Sequence, residues 1–327
     1  MDFKIILAFL GLLIPDIHAV HDRLKLLIDT DAGSDDAVAL MLALKASDMV
    51  DVVAITCTYG NTVEENVEKN VLKILTIAGR TDVPVYSGSK KPLKSRSYKP
   101  TNFFGIDGMG DMEFAKEVTA EVDRSMTAPE AMSYYAKLYP KKLNIVLLGP
   151  LTNVARAVQL DPQLAENVQK FWSMGACPLG NGAPAPDFNY GLDPESVHLF
   201  FKNTKQTPIT IFPGCTRRKH KIHMDWRAHI LGSQRNSEII EFLNKAEQIA
   251  IKSVNGEWIS DDSLALSSAI WPKKIITKRN KGEIIPITGG LHRGFVIFKK
   301  QTSNKNVEIV EDYNHQMFQL KLLKYLK

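Results

Sequence analysis

Cysteine is scarce in this chain, with only Cys57, Cys177 and Cys215 among 327 residues. An odd and small number excludes a disulfide framework and leaves room for one bridge at most. Cys57 lies in an apolar run and Cys177 just after another, so both are expected to be buried thiols. There is no stretch of ~20 uncharged apolar residues, which excludes a membrane-spanning helix and a membrane partner of that kind. No Asn-x-Ser/Thr acceptor for N-glycosylation occurs. The net charge of +5 is spread along the length instead of forming one long basic run, so it does not point to nucleic acid as a partner. Repeats and separating linkers are also missing.

What the chain does have is enough apolar material, 44% of residues, to bury a large core. At its start, Lys4 precedes an apolar run from Ile5 to Ile14, then Pro15 and a small-residue exit at Ala19. This is the pattern of a signal peptide over residues 1–19, with residues 20–327 as one secreted, extracellular domain.

Short runs rich in Ile, Val and Leu then recur at Leu24 to Ile28, Val52 to Thr58, Val83 to Tyr86, Asn144 to Leu148, Phe171 to Met174 and Ile209 to Phe212. They read as buried strands. Helical patterns lie between them, at about Asp36 to Ala46, Thr62 to Ala78, Ala128 to Leu138, Leu151 to Gln159 and Pro194 to Lys202. Such alternation predicts an α/β fold: a doubly wound, mostly parallel open sheet of Rossmann-like type. Thr127 with Glu130 makes a capping box, and Pro129 suits a first helical turn. Lys90 to Met112 has no clean period and reads as a long loop, a frequent active-site wall. A helical stretch from Asn236 to Asn255 and strand-like runs after Lys281, such as Gly294 to Phe298, predict a C-terminal helical and hairpin elaboration.

The segment Leu26 to Leu44, LLIDTDAGSDDAVALMLAL, sets Asp29, Asp31, Asp35 and Asp36 between a buried strand and an apolar helix. Asp29 and Asp31, two apart on a strand end, are expected to point to one side. Gly33 permits a sharp turn, Ser34 can cap, and Asp35 and Asp36 fall at the positive end of the helix dipole. Four converging carboxylates repel one another unless a cation joins them. All-oxygen ligands suit Ca²⁺ or Mg²⁺, and an extracellular setting favours Ca²⁺. The plainer alternative is that these acids only cap a helix and bond backbone N–H groups.

DTDAGSDDAVAL closely resembles the DTDPGxDDAxAL signature of the inosine-uridine-preferring nucleoside hydrolases, with Ala32 where those enzymes usually carry Pro. Further matches follow in order: Gly60-Asn61, GIDGMG at Gly105 to Gly110, LGPLTNVARAV at Leu148 to Val158, and MGACPLGNGAPAPDFNYGLDPE at Met174 to Glu195. The resemblance runs from about Leu24 to Trp271. It implies Ca²⁺-dependent hydrolysis of the N-glycosidic bond of a small-molecule nucleoside. Asp31, Asp36, the Leu148 carbonyl and Asp262 would hold the ion, with Asp31 also the general base. Asp35 and Asn189 would hold the ribose 2′- and 3′-hydroxyls, with Asn61 beside the water and ribose and Met174 below the sugar. Asn181 and Asp187 would contact the ribose, Asp187 standing where many members have Glu. Homodimer and homotetramer both stay open.

The chain departs from the family at the leaving group. Many members carry a His immediately before the last metal-binding Asp, and here that position is Asp261. Trp258 stands four residues before Asp262, and Phe103 and Phe104 precede GIDGMG. Purine-specific relatives lack that His and stack the base between aromatics, so purine nucleosides (inosine, adenosine, guanosine) are the expected substrates, with Trp258 in the base site. The basic cluster Arg217, Arg218, Lys219, His220, Lys221 and His223 reads as a solvated loop. Two other classes remain: a secreted Ca²⁺-containing protein that binds nucleosides without cleaving them, and an aspartyl-phosphate phosphotransfer enzyme suggested by Asp29-Thr30-Asp31.

Overall fold

Leu24–Thr30 forms β1, the strand from which the architecture is built. In this computed structural model, residues 23–94, 98–180, 183–234, 237–253 and 256–327 are described. The 1–19 segment read as a signal peptide lies outside the described residues, and so does Asn181. β1 pairs in parallel with β2 (Val50–Cys57) on one side and β5 (Leu143–Leu147) on the other. Beyond β2 lie β3 (Val85–Tyr86) and β4 (Val122–Asp123), and beyond β5 lie β6 (Lys170–Met174) and β7 (Ile209–Phe212), all parallel. A two-stranded antiparallel ladder, β8 (Ile222–His223) with β9 (Glu257–Trp258), stands apart. The C-terminal strands β10 (Ile276–Pro286), β11 (Val296–Lys299) and β12 (Val307–Tyr313) extend the main sheet past β7, with β12 parallel to β7 and β10 antiparallel to both β11 and β12. The order is β11-β10-β12-β7-β6-β5-β1-β2-β3-β4.

The helices, in chain order, are α1 (Ser34–Lys45), α2 (Glu64–Ala78), α3 (Ala128–Leu138), α4 (Thr152–Leu160), α5 (Leu164–Asn167), α6 (Phe188–Leu192) and α7 (Pro194–Asn203). They continue with α8 (Gly214–Arg217), α9 (Glu238–Ala246), α10 (Ala250–Ser253), α11 (Asp261–Ile270), α12 (Pro272–Ile275) and α13 (His315–Tyr325). Strand alternation assigns them to faces. Leu26 and Ile28 of β1 join a core with residues of α1, α2, α9, α11 and α13, while Leu27 joins a second core with α3, α4 and α7. Both faces are covered, so the strands read as continuous apolar runs. The chain leaves β1 for β2 on one side and returns to β5 on the other. Loops at the C-terminal ends of these strands therefore diverge and open a crevice.

The expected strands and helices are found with small boundary shifts, and the Thr127 N–H donates to Glu130 as the capping box requires. Two readings are corrected. β10 starts well before Lys281, because its exposed face carries Lys278, Arg279 and Lys281 paired to Glu308 and Glu311, which hides the strand behind charge. Cys177 is not a thiol. It is bridged to Cys215, tying the segment after β6 to α8, while Cys57 is free and buried. The two cysteines lie 38 residues apart, a separation that periodicity does not connect. Closing a loop of that length restricts the unfolded chain, so replacing both cysteines by alanine is expected to lower stability by about 2–4 kcal/mol. Urea unfolding measures this, and a reducing agent should erase the difference between variant and parent.

Candidate active site

Asp31 is the first residue beyond β1, and two glycines make room for it. A Cβ on Gly60 would collide with the Asp31 carboxylate, and one on Gly149 would lie 3.1 Å from it. Gly60 and Gly149 follow β2 and β5, so the crevice between diverging loops is narrowed to fit one acid. The Asn61 backbone N–H donates to Asp31 Oδ2 at 2.8 Å. Asp36, in the first turn of α1, accepts from the Thr30 hydroxyl (2.5 Å), the Gly33 N–H (2.9 Å) and Asn61 Nδ2 (3.2 Å). Gly33 is therefore the N-cap of α1, and Ser34, read as a capping residue, is already helical with its hydroxyl unpartnered among the described residues. Asp262 arrives from the first turn of α11, a helix packed directly on α1.

Asp35, Asp36 and Asp262 lie with carboxylate oxygens within 4.8 Å of one another, all buried. Asp31 stands outside that trio but close enough to repel it. Burial first, then the charges of Asp36 and Asp35, hold the Asp31 carboxyl well above the usual range. Burial and the neighbouring acids do the same to Asp35 and Asp262, and burial pushes Asp36 up to about 6 despite its three donors. No ion pair reaches any of these four acids among the described residues.

Among the described residues, Asp262 Oδ1 and Asn189 Oδ1 are buried without a hydrogen-bond partner, and Asn189 Nδ2 reaches the Leu148 carbonyl. Orphaned oxygens among repelling carboxylates fit a divalent cation, since oxygen donors suit hard ions and a cation removes the repulsion. Asp31, Asp36, Asp262 and the Leu148 carbonyl are the groups that would hold it, with Asp35 completing the acidic trio.

Above this floor is a cavity of about 310 Å³ lined by Asp31, Asp35, Asn61, Leu148, Met174, Asn189, Asp261 and Asp262 together with Thr101, Phe103, Phe104 and Phe188. The Lys90 to Met112 region supplies three of these wall residues and, among its described residues, no helix or strand. Thr101 had no signal in the sequence beyond lying in a loop, and Phe188 none beyond its place in the Met174 to Glu195 match.

Four sequence readings are changed by the structure. Asp29 does not join the cluster: the strand ends at Thr30, so alternation stops there, and Asp29 Oδ1 instead accepts from Thr56 (2.6 Å) and Asn153 (2.8 Å). Burial pushes its carboxyl up to about 7. Trp258 does not line the cavity. It is 3% exposed, its Nε1 donates to Glu247 at 2.6 Å, it stacks on Phe318, and it lines a separate small pocket that shares Phe103 and Phe104 with the cavity. Asp187 caps α6 through the Tyr190 N–H, is pushed up to about 6 by burial, and is absent from the cavity lining among the described residues. The basic cluster is not all solvated. Arg217 Nε donates to Asp261 Oδ1 at 2.7 Å and its Nη1 pairs with Glu257. No local pattern links Arg217 to an acid 44 positions away.

An open, mostly parallel α/β sheet with a buried acidic cluster where its loops diverge defines a class of small-molecule enzyme folds. The chain belongs to the inosine-uridine preferring nucleoside hydrolase family, whose model matches residues 26–319. It is 39% identical over 187 residues to a probable uridine nucleosidase of Arabidopsis thaliana, covering 56% of this chain and 57% of that one. It is 34% identical over 224 residues to the pyrimidine-specific ribonucleoside hydrolase RihA of Escherichia coli, covering 68% and 70%. The match to the Arabidopsis protein thus spans little more than half its length. Among solved structures, a plant nucleoside hydrolase superposes with a TM-score of 0.82 at 25% identity, covering 92% of this chain and 98% of that one. An inosine-guanosine nucleoside hydrolase superposes with a TM-score of 0.84 at 23% identity, covering 93% and 98%, and shares the fold.

Since a Cβ on Gly60 would collide with the Asp31 carboxylate, Gly60→Ala is expected to weaken divalent-cation binding at least about tenfold while the protein still unfolds cooperatively. The rise in Tm on titrating Ca²⁺ reads this directly.

Proposed function

We propose that this chain is a secreted nucleoside hydrolase that uses Ca²⁺ to cleave the N-glycosidic bond of ribonucleosides, purine nucleosides in particular, to ribose and free base. The observation that carries the proposal is the gathering of Asp31, Asp35, Asp36 and Asp262, from sequence positions more than two hundred apart, with Asn61, Asn189 and the Leu148 carbonyl under an aromatic-walled cavity. When bound, the ion supplies the positive charge that makes a water molecule acidic enough to lose a proton near neutral pH. Asp31, one oxygen held by the Asn61 N–H, would be the group placed to accept a proton from such a water. Asp35 and Asn189 orient the ribose hydroxyls. The ring of carboxylates favours the positive charge that develops on the sugar as the base departs.

The purine reading is supported by Phe103, Phe104 and Phe188 on the wall and by Asp261 in place of an acidic histidine. These phenylalanines take the stacking role first assigned to Trp258. Curated relatives carry uridine and pyrimidine names, so uridine is the deciding comparison. The secreted location rests on the N-terminal pattern of residues 1–19.

Chromatography of reactions with inosine, guanosine, adenosine and uridine, each with and without EDTA, tests the proposal. Free purine base should appear, should stop with EDTA and return with Ca²⁺, and Asp31→Ala should lower kcat by a factor on the order of 10³ or more. Faster uridine cleavage would refute the purine assignment. Ca²⁺-dependent binding of inosine with no release of hypoxanthine would leave a nucleoside-binding protein instead. Phe104→Ala should raise KM for inosine by about tenfold, as loss of one stacking face predicts.

A further inference from the structure

Asp261 and Asp262 are adjacent on the first turn of α11, yet they face different partners. Asp262 turns to the acidic trio, and Asp261 turns to Arg217. The guanidinium of Arg217 is shared between Asp261 and Glu257, and the side chains of Arg217 and Asp261 are only 12% and 13% exposed. The backbone carrying Arg217 is held on several sides. Cys215 is bridged to Cys177, the Thr216 hydroxyl donates to the Val310 carbonyl at 2.7 Å, and the Tyr313 hydroxyl donates to the His220 carbonyl at 2.8 Å. Asp261 is thereby presented in one orientation at the cavity wall.

Its Oδ1 is spent on Arg217, whereas Oδ2 has no hydrogen-bond partner among the described residues. Asp31, Asp35, Asp262, Asn61 and Asn189 account for the floor, and the rest of the wall is largely aromatic. Asp261 is the charged group on that wall that the floor does not use. A carboxylate whose other oxygen is paired to arginine accepts and does not donate, so what Oδ2 recognises is an N–H or O–H on the ligand. The ribose hydroxyls are taken by Asp35 and Asn189 in the reading above, which leaves the N–H groups at the edge of the base.

We propose that Asp261, oriented by Arg217, is the specificity residue that reads hydrogen-bond donors on the nucleobase, favouring bases with a ring N–H or amino group over isosteres without one. Arg217 is a positioning residue in this pair. The inference rests on the nucleoside hydrolase reading and adds a role that a histidine at this position would not fill in the same way, since a neutral or charged imidazole also donates.

The test compares kcat/KM for inosine, for purine riboside, which lacks a donor on its six-membered ring, for 5′-deoxyinosine and for 4-nitrophenyl riboside, in Ca²⁺, across the parent, Asp261→Ala, Asp261→Asn and Arg217→Met. The inosine to purine riboside ratio is expected to fall about 10- to 100-fold in Asp261→Ala, with smaller falls in the other two variants. The loss on inosine should exceed the loss on 4-nitrophenyl riboside by at least about tenfold. Asp261→Asn keeps the shape of the side chain and serves if the alanine variant does not fold. An unchanged ratio overturns the proposal, as does an equal loss on all substrates or a loss that follows the 5′-hydroxyl. A parent protein inert toward all four substrates and toward uridine refutes the hydrolase reading alone. The same ratio is then taken from calorimetric Kd values for inosine and purine riboside, and an equal Kd for the two overturns the inference.

Discussion

Mutual repulsion among buried carboxylates is the constraint around which the molecule is arranged. Asp31, Asp35, Asp36 and Asp262 sit where water cannot screen them, and burial holds each above the ordinary carboxylate range. Such a cluster is costly unless something positive enters it, and the fold holds it open with backbone N–H groups, the Thr30 hydroxyl and glycines that yield space. The scaffold must then be stable enough elsewhere to carry that cost. It is: two cores line the sheet on opposite faces, and α1, which bears two of the acids, is buried from Ser34 to Leu44.

The position of the site follows from topology. β1 has β2 and β5 on either side, and the segments after all three meet at the same edge. Asp31 follows β1, Asn61 follows β2, Leu148 follows β5 and Met174 ends β6, so each element delivers its functional group at its C-terminal end. α11 completes the site by packing on α1 with both N-termini at the cavity, which brings two positive dipole ends to the acids. The disulfide and the Arg217 pair then join the outer loops to this frame.

How much of this was legible in the sequence depends on distance along the chain. The central strands and helices were readable because burial on both faces writes a dense apolar pattern, and α3 was bounded correctly because its cap and proline are local signals. Asp31, Asp35 and Asp36 were legible from their crowding alone, and Asp262, Asn61 and Asn189 through motif resemblance. Asp29 was misjudged because strand alternation was carried one residue past the end of the strand. Trp258 was misjudged because a position four residues from Asp262 is close in sequence but, across the β9 to α11 turn, falls in a separate small pocket walled by Phe103 and Phe104. β10 hid behind its lysines, and the Arg217 and Cys177 pairings hid behind separations that no period spans.

The burial of α1 also divides the molecule by how freely it can vary. A helix with no open face cannot shift without disturbing both the sheet and α11, so the acids it carries are set once, when the chain folds. Thr101, Phe103, Phe104, Phe188 and Arg217 stand instead on loops or short helices around the rim. Descendants of this scaffold that accept a new base can therefore be sought by varying Thr101, Phe103 and Phe188 while the floor and the Arg217 pair are left alone.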